Sequence, residues 1–183
     1  MPVKKAYIFA TMLEAEEYIN SFGFSAILGA PFATYLDPKK RVLAISGMGL
    51  KNAENCATYM CKNFGFSEIV NIGACGALSD KYKVGDVLAL DNAAFLSELE
   101  NAKAKRATLA SANAPIKDNS QRLKYSQYAD VVDMEAAAVK AVCEEFGKNF
   151  CALKYVSDFS QNCDIAENVK KLRGKVLEKY GLC

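Results

Sequence analysis

Glu135 and Asp158 are the two carboxylates whose surroundings suggest chemistry, and they stand near the two ends of one stretch, 131–158 (VVDMEAAAVKAVCEEFGKNFCALKYVSD). The chain contains no histidine, which removes every mechanism built on an imidazole base, the Ser-His-Asp and Cys-His arrangements included. Proton transfer therefore falls to Asp, Glu, Lys, Tyr or Cys. Each carboxylate taken alone also has a local explanation. The helix dipole favours an acidic residue in a first turn, and an Asp after a strand is commonly a turn residue or a cap.

The elements that must position these groups can be read from the spacing. Met134, Ala137, Ala138, Ala141 and Val142 recur at i, i+3, i+4, i+7 and i+8, which predicts one buried helix face, with Asp133 as its cap and Gly147 as its end. Glu135 sits beside that stripe. Residues 150–156 then read as a short apolar strand, and Ser157 and Asp158 fall where its C-terminal end emerges. In open α/β sheets that edge is where ligands sit.

Earlier in the chain, 5–10 reads as a buried strand and Thr11 as the start of an acidic helix that ends near Gly23. Weaker strands are expected at 25–29 and 33–36, a polar turn at 37–40, and a strand at 41–45 that runs into Ser46-Gly-Met-Gly49. A helix over 51–62 turns Ala53, Cys56, Ala57, Met60 and Cys61 inward. A strand over 67–72 ends in a second glycine turn, Gly73-Ala-Cys-Gly76. Further strands are expected at 87–90 and 108–111, a helix at 94–105, a helix or turn at 119–125, and a terminal amphipathic helix over 165–180. This order predicts a single domain spanning 1–183, of the α/β class, with a central mixed twisted sheet and helices on both faces.

Composition narrows the function. With 23 basic and 21 acidic residues spread along 183 positions, the chain carries no electrostatic footprint of a nucleic-acid binder. The densest basic run, 101–106 (NAKAKR), reads as a solvated helix end. Seven cysteines, several inside predicted elements and none in a Cys-x-x-Cys pair, fit a reducing compartment and an expected cytoplasmic location rather than disulfides or zinc. No signal peptide or membrane-spanning run is expected. A dinucleotide site is disfavoured, because Gly47-x-Gly49 is followed by Asn52 where a third glycine belongs.

Four motifs together resemble the purine nucleoside phosphorylase and nucleosidase family, in order and over most of the chain. They are Ser46-Gly-Met-Gly49 with Asn52-Ala53; Asn71-Ile-Gly-Ala-Cys-Gly-Ala-Leu78 with the Lys83 to Asp86 connection; the Met134-Glu135 helix start; and the strand end Ser157-Asp158. The resemblance implies cleavage of the N-glycosidic bond of a purine nucleoside. It also implies a homo-oligomer, and it calls for no metal or organic cofactor. Glu135 would accept hydrogen bonds from the ribose 2′ and 3′ hydroxyls, with Met134 packed on the sugar. Asp158 would donate a proton to N7 of the leaving purine, with Ser157 beside it. The backbone of Gly73, Ala74, Cys75 and Gly76 would pass along base and sugar, and Met48 of the first glycine loop would join the site. Such a reaction develops positive charge on the sugar and negative charge on the base, which a protonated carboxyl beside the base relieves.

Where the family places either a phosphate loop or a water-activating carboxylate, this chain has Glu14 and Glu16. Asn71 and Ala74 stand where similar phosphorylases carry an arginine and a serine for phosphate. With four arginines in all, at 41, 106, 122 and 173, water is favoured over phosphate as the nucleophile, and phosphate stays open as a co-substrate. The interval from Asp86 to Met134 is shorter than is usual for the family, and Pro115 occupies a place where an aromatic ring would stack on the base. The alternative is a catalytically degenerate nucleoside-binding protein of the same fold.

Overall fold

Lys5–Phe9 carries apolar side chains on both faces, Ala6 and Ile8 on one and Tyr7 and Phe9 on the other, and all four are buried. Such a strand needs cover on both sides. In a computed structural model that describes residues 5–90, 105–160 and 165–180 it is β1, at the centre of one sheet. In chain order there follow α1 (Met12–Phe22), β2 (Ser25–Ile27), β3 (Ala33–Leu36), β4 (Val42–Ile45), α2 (Leu50–Asn63), β5 (Glu68–Ala77) and β6 (Val87–Leu90). After the undescribed interval come β7 (Lys105–Arg106), β8 (Leu109–Ser111), α3 (Asn119–Ser126), β9 (Val131–Asp133), α4 (Ala136–Glu145) and β10 (Asn149–Asp158). Two short helices, α5 (Ile165–Leu172) and α6 (Lys175–Tyr180), end the described chain.

The ten described strands form one mixed sheet, ordered β2-β3-β4-β1-β5-β10-β6-β7, with β9 joined to β5 and β8 to β9. Its middle, β4-β1-β5-β10, is parallel, while β2, β3 and β6 join antiparallel. The parallel strands therefore deliver their C-terminal ends to one edge. Alternate residues feed two cores. On one face Ala6, Ile8 and Ile69 pack with Ala53, Cys56, Ala57 and Met60 of α2 and with Ala136, Val139, Val142 and Cys143 of α4. On the other, Tyr7, Phe9, Val70 and Leu153 pack with Ala15 and Tyr18 of α1, Val169 of α5 and Val176 of α6. Helices on both faces of a mixed sheet agree with the sequence reading.

Four local expectations are corrected. The second glycine motif is not a turn. Strand β5 runs through Gly73, Ala74, Cys75 and Gly76 because β10 pairs with each of them, Lys154 with Gly73 through to Asp158 with Gly76. The buried face of α4 is Ala136, Val139, Val142 and Cys143, about one residue on from the stripe read from sequence. Alanines define no face by themselves, and the bulkier Val139, Val142 and Cys143 set it, leaving Ala137 and Ala141 exposed. The terminal helix is broken at Arg173 and Gly174. There Arg173 donates to the Leu13 carbonyl at 3.0 Å and bonds Glu16 and Glu17, and a Cβ on Gly174 would collide with Glu17. Finally, Lys105, expected in a helix, pairs in β7. The rest of that expected helix, 94–104, and most of the basic run 101–106 lie outside the described residues.

None of the five described cysteines, at 56, 61, 75, 143 and 151, is in a disulfide, and burial pushes the thiols of Cys56 and Cys143 up to about 12. No helix among the described residues is long and apolar enough to cross a membrane.

Candidate active site

Glu14 starts from an ordinary helix rule. Thr11 caps α1, its hydroxyl accepting from the Glu14 N–H at 3.3 Å, while Glu14 Oε2 accepts from the Thr11 N–H at 3.0 Å. Its other oxygen leaves the helix. Oε1 accepts from the Ala74 N–H of β5 at 2.9 Å, and a Cβ on Gly73 would stand 2.7 Å from it, so glycine there admits the carboxylate. Glu14 is thus buried against the sheet. Glu16, read from sequence as its equal, instead meets Arg173 and does not line the cavity.

Glu135 is held by the first glycine turn. Gly47 and Gly49 have φ of 83° and 99°, values that glycine alone adopts cheaply. The Gly49 N–H donates to Glu135 Oε1 at 2.9 Å, and the Met134 N–H lies 3.3 Å from Oε2. The turn's N–H therefore serves the protein's own carboxylate. Burial pushes Glu135 above the usual glutamate range; the Lys154 cation and the Gly49 N–H pull it back, and Asp133 and Glu14 push it further up.

Asp158 is placed by a bulge. The pairing of β10 with β5 shifts between Val156 and Asp158, which sets Asp158 opposite Gly76, and bulges beside a sheet edge re-aim side chains in this way. Its Oδ2 accepts from the Ser157 hydroxyl at 2.6 Å and its Oδ1 from the Ser160 N–H at 2.6 Å. Asn168 of α5 fixes the same bend by donating to the Ser157 carbonyl at 2.8 Å.

These three carboxylates line one cavity of about 390 Å³ at the C-terminal ends of β1, β5 and β10. Of the residues singled out in the sequence, Met48, Ala74, Cys75, Gly76, Met134 and Ser157 also line it. Gly73 does not; it lies behind Glu14. Met48 stands largely exposed. Asn71 is elsewhere, donating to the Ile8 carbonyl at 3.1 Å within the sheet. Ala112, Ala114, Pro115 and Ile116 form part of the wall, and among the described residues no aromatic ring lines it. Burial pushes the Cys75 thiol up, which disfavours its thiolate.

The sequence pattern of the phosphorylase superfamily matches residues 9–99 and 89–180. The chain belongs to the phosphorylase superfamily. Its two matched pieces overlap at 89–99, inside the interval 86–134. Among relatives of this superfamily chain is the DeoD-type purine nucleoside phosphorylase of Shewanella loihica, 27% identical over 191 residues that cover 86% of this chain and 78% of that one. The enzyme of Shewanella amazonensis is 28% identical over 185 residues, covering 99% and 70%. Among solved structures, the 5′-methylthioadenosine/S-adenosylhomocysteine nucleosidase of Neisseria meningitidis superposes with a TM-score of 0.88 at 20% identity, covering 97% of this chain and 96% of that one. Futalosine hydrolase of Helicobacter pylori superposes with a TM-score of 0.85 at 20% identity, covering 96% and 94%.

The superfamily fold also buries a charge network that the sequence reading passed over. Lys154, on β10, is 1% exposed, and its ammonium lies 2.8 Å from Asp133 Oδ2. Asp133, expected as the cap of α4, lies two residues before the N-cap, which is Glu135; it accepts instead from the Ala136 N–H at 3.0 Å and from the Ser111 hydroxyl. Burial alone would lower the Lys154 pKa, but Asp133, Glu135 and Glu14 outweigh it and hold it above the usual lysine range. A raised lysine pKa stabilises the fold at all pH values below the ordinary lysine range and ceases to do so as pH rises through the raised value. Lys154→Met leaves the carboxylates without their cation and is expected to cost about 3–5 kcal/mol at neutral pH. A denaturant midpoint read at constant slope checks this; a cost under about 1 kcal/mol would show that the carboxylates tolerate its loss. The signal available in sequence was a lone lysine inside an apolar strand.

Proposed function

We propose that the protein cleaves the N-glycosidic bond of purine nucleosides by hydrolysis. The observation that carries this reading is that Glu14, Glu135 and Asp158 line one cavity, each with a backbone N–H bonded to it. Glu135 holds the ribose diol, Met134 packs on the sugar, Asp158 supplies the proton to N7 of the departing base with Ser157 bonded to it, and Glu14 takes a proton from the attacking water. The relatives in the superfamily include phosphorylases and nucleosidases, which agrees with this class of bond.

Water rather than phosphate is favoured by the donors. A phosphate dianion needs preorganised cations or N–H groups. The N–H groups of Gly49 and Ala74 are spent on carboxylates, Arg41 is paired with Asp37 and Arg173 with Glu16 and Glu17, and Glu14 would repel a phosphate. Base release from a panel of purine nucleosides is therefore expected to proceed unchanged in phosphate-free buffer. It is also expected to fall by at least about a hundredfold in Glu14→Gln, the usual scale of a lost general base. A phosphate requirement with ribose 1-phosphate as product would make the protein a phosphorylase instead.

One observation favours a second reading, a chain of this fold that binds a nucleoside without cleaving it. The wall at 112–116 offers small aliphatic side chains and Pro115 where a stacking ring would grip the base. Nucleoside recovered intact after saturating binding would establish that reading.

A further inference from the structure

Strand β10 hands the chain to a residue in an unfavourable conformation. Ser160 has φ of 53°, in the left-handed region that glycine enters freely and serine only at a cost. It is 3% exposed and lines the cavity beside Asp158. Its N–H is used, donating to Asp158 Oδ1. Its hydroxyl is buried and has no hydrogen-bond partner among the described residues. A glycine at this position would make the same bend and give the same N–H to Asp158 without strain. What glycine would not supply is the hydroxyl.

The place of that hydroxyl is fixed by Gly76. A Cβ on Gly76 would collide with Ser160 Oγ and would lie 3.0 Å from Asp158 Oδ1. Hydroxyl and carboxylate oxygen therefore stand together over one glycine of β5. The neighbouring Ser157 hydroxyl is not equivalent, since it is already committed to Asp158 Oδ2. A buried polar atom without a partner is uncommon in folded proteins and calls for an explanation. A ligand that brings the missing partner is one.

We propose that Ser160 Oγ pairs with the 6-substituent of the purine, beside the N7 that faces Asp158. This rests on reading the cavity as a purine nucleoside site. N7 and the 6-substituent lie side by side on one edge of the purine. Adenine presents there an acceptor and an amino donor, and guanine two acceptors. A group next to the acid that serves N7 meets the 6-substituent. A hydroxyl donates and accepts, and its hydrogen rotates to suit. Ser160 thus accepts from a 6-amino group and donates to a 6-oxo group, and the site takes both kinds of base. A purine without a 6-substituent leaves the hydroxyl orphaned.

The test compares adenine, hypoxanthine and unsubstituted purine, bound by calorimetry, with base release from the three matching ribonucleosides. It uses the parent chain, Ser160→Ala and Ser160→Gly. The parent is expected to favour both 6-substituted bases over purine. In both variants that preference falls by about tenfold, the scale of one neutral hydrogen bond to a buried group. Alanine keeps the backbone strain and glycine relieves it, so agreement between them assigns the loss to the hydroxyl, and the glycine variant guards against a folding failure. A preference that is unchanged in both variants overturns the proposal. If the preference behaves as expected while the parent releases no base, the contact stands and the hydrolytic reading fails. If the parent binds none of the bases or nucleosides, both fail.

Discussion

Asp158→Asn is expected to reduce base release by at least about a hundredfold, about 2.7 kcal/mol of barrier, while nucleoside binding and fold persist. The substitution is nearly isosteric, and its surroundings can accept it. The amide oxygen still takes the Ser160 N–H, now 2.6 Å from Oδ1. The amide nitrogen faces Ser157, whose hydroxyl can turn its hydrogen toward the Cys75 carbonyl, 3.3 Å away, and accept instead. What asparagine cannot do is give a proton to the departing base. The measurement is single-turnover base release set beside calorimetric binding, since a loss confined to the chemical step separates a proton donor from a binding contact. Turnover within about tenfold of the parent, about 1.4 kcal/mol, would remove Asp158 from the acid's role.

Glu135→Gln is expected to act on the sugar rather than the base. An ionised carboxylate accepts from both hydroxyls of a ribose, whereas an amide offers one oxygen and two N–H donors, so ribonucleosides should suffer far more than 2′-deoxyribonucleosides. Equal losses on both sugars would show that Glu135 serves the cavity only as structure. The pH dependence follows from the raised carboxyl. As pH falls through that raised value Glu135 is protonated and loses acceptor capacity, so the acid limb of ribonucleoside cleavage should lie above the ordinary glutamate range and vanish in the glutamine variant. Stability runs the other way. The folded state binds the proton more tightly than the unfolded chain, so this residue's contribution is present below the ordinary glutamate pKa and is lost as pH rises through the raised one. Above it the charge is a standing cost for Glu135 itself, set against the support that charge gives the buried Lys154 cation, so Glu135→Gln should change the melting temperature little at neutral pH. Activity lost with thermal stability kept or gained would mark a residue retained for its chemistry.

Much of this arrangement was legible in the sequence because the rules that produce it are local. A capping box needs only Thr11 and Glu14, three residues apart, and the left-handed end of α1 needs only Gly23. The turn at 46–49 follows from glycines that take positive φ. Burial on both faces of β1 can be read from five consecutive residues, and β3 and β6 fall at their expected bounds.

The sequence by itself determined most of the order of strands and helices, though not the short β7 and β9 or the break between α5 and α6, together with the cover on both faces of the sheet and the placing of Glu14, Glu135 and Asp158 at helix starts and a strand end. Those features depend on periodicity, caps and turn residues, which act over a few neighbours. Only the tertiary structure decided how far β5 runs, because a strand continues as long as a partner offers its backbone, and β10 pairs with it to Gly76. It also decided the bulge that aims Asp158, and the pairing of Lys154 with Asp133, 21 residues away along the chain. Glu14 and Glu16 look alike in sequence, two positions apart on one helix. One meets the sheet at Ala74 and the other meets Arg173, because residues two apart on a helix face different ways, and what each faces is set by chain far off in sequence.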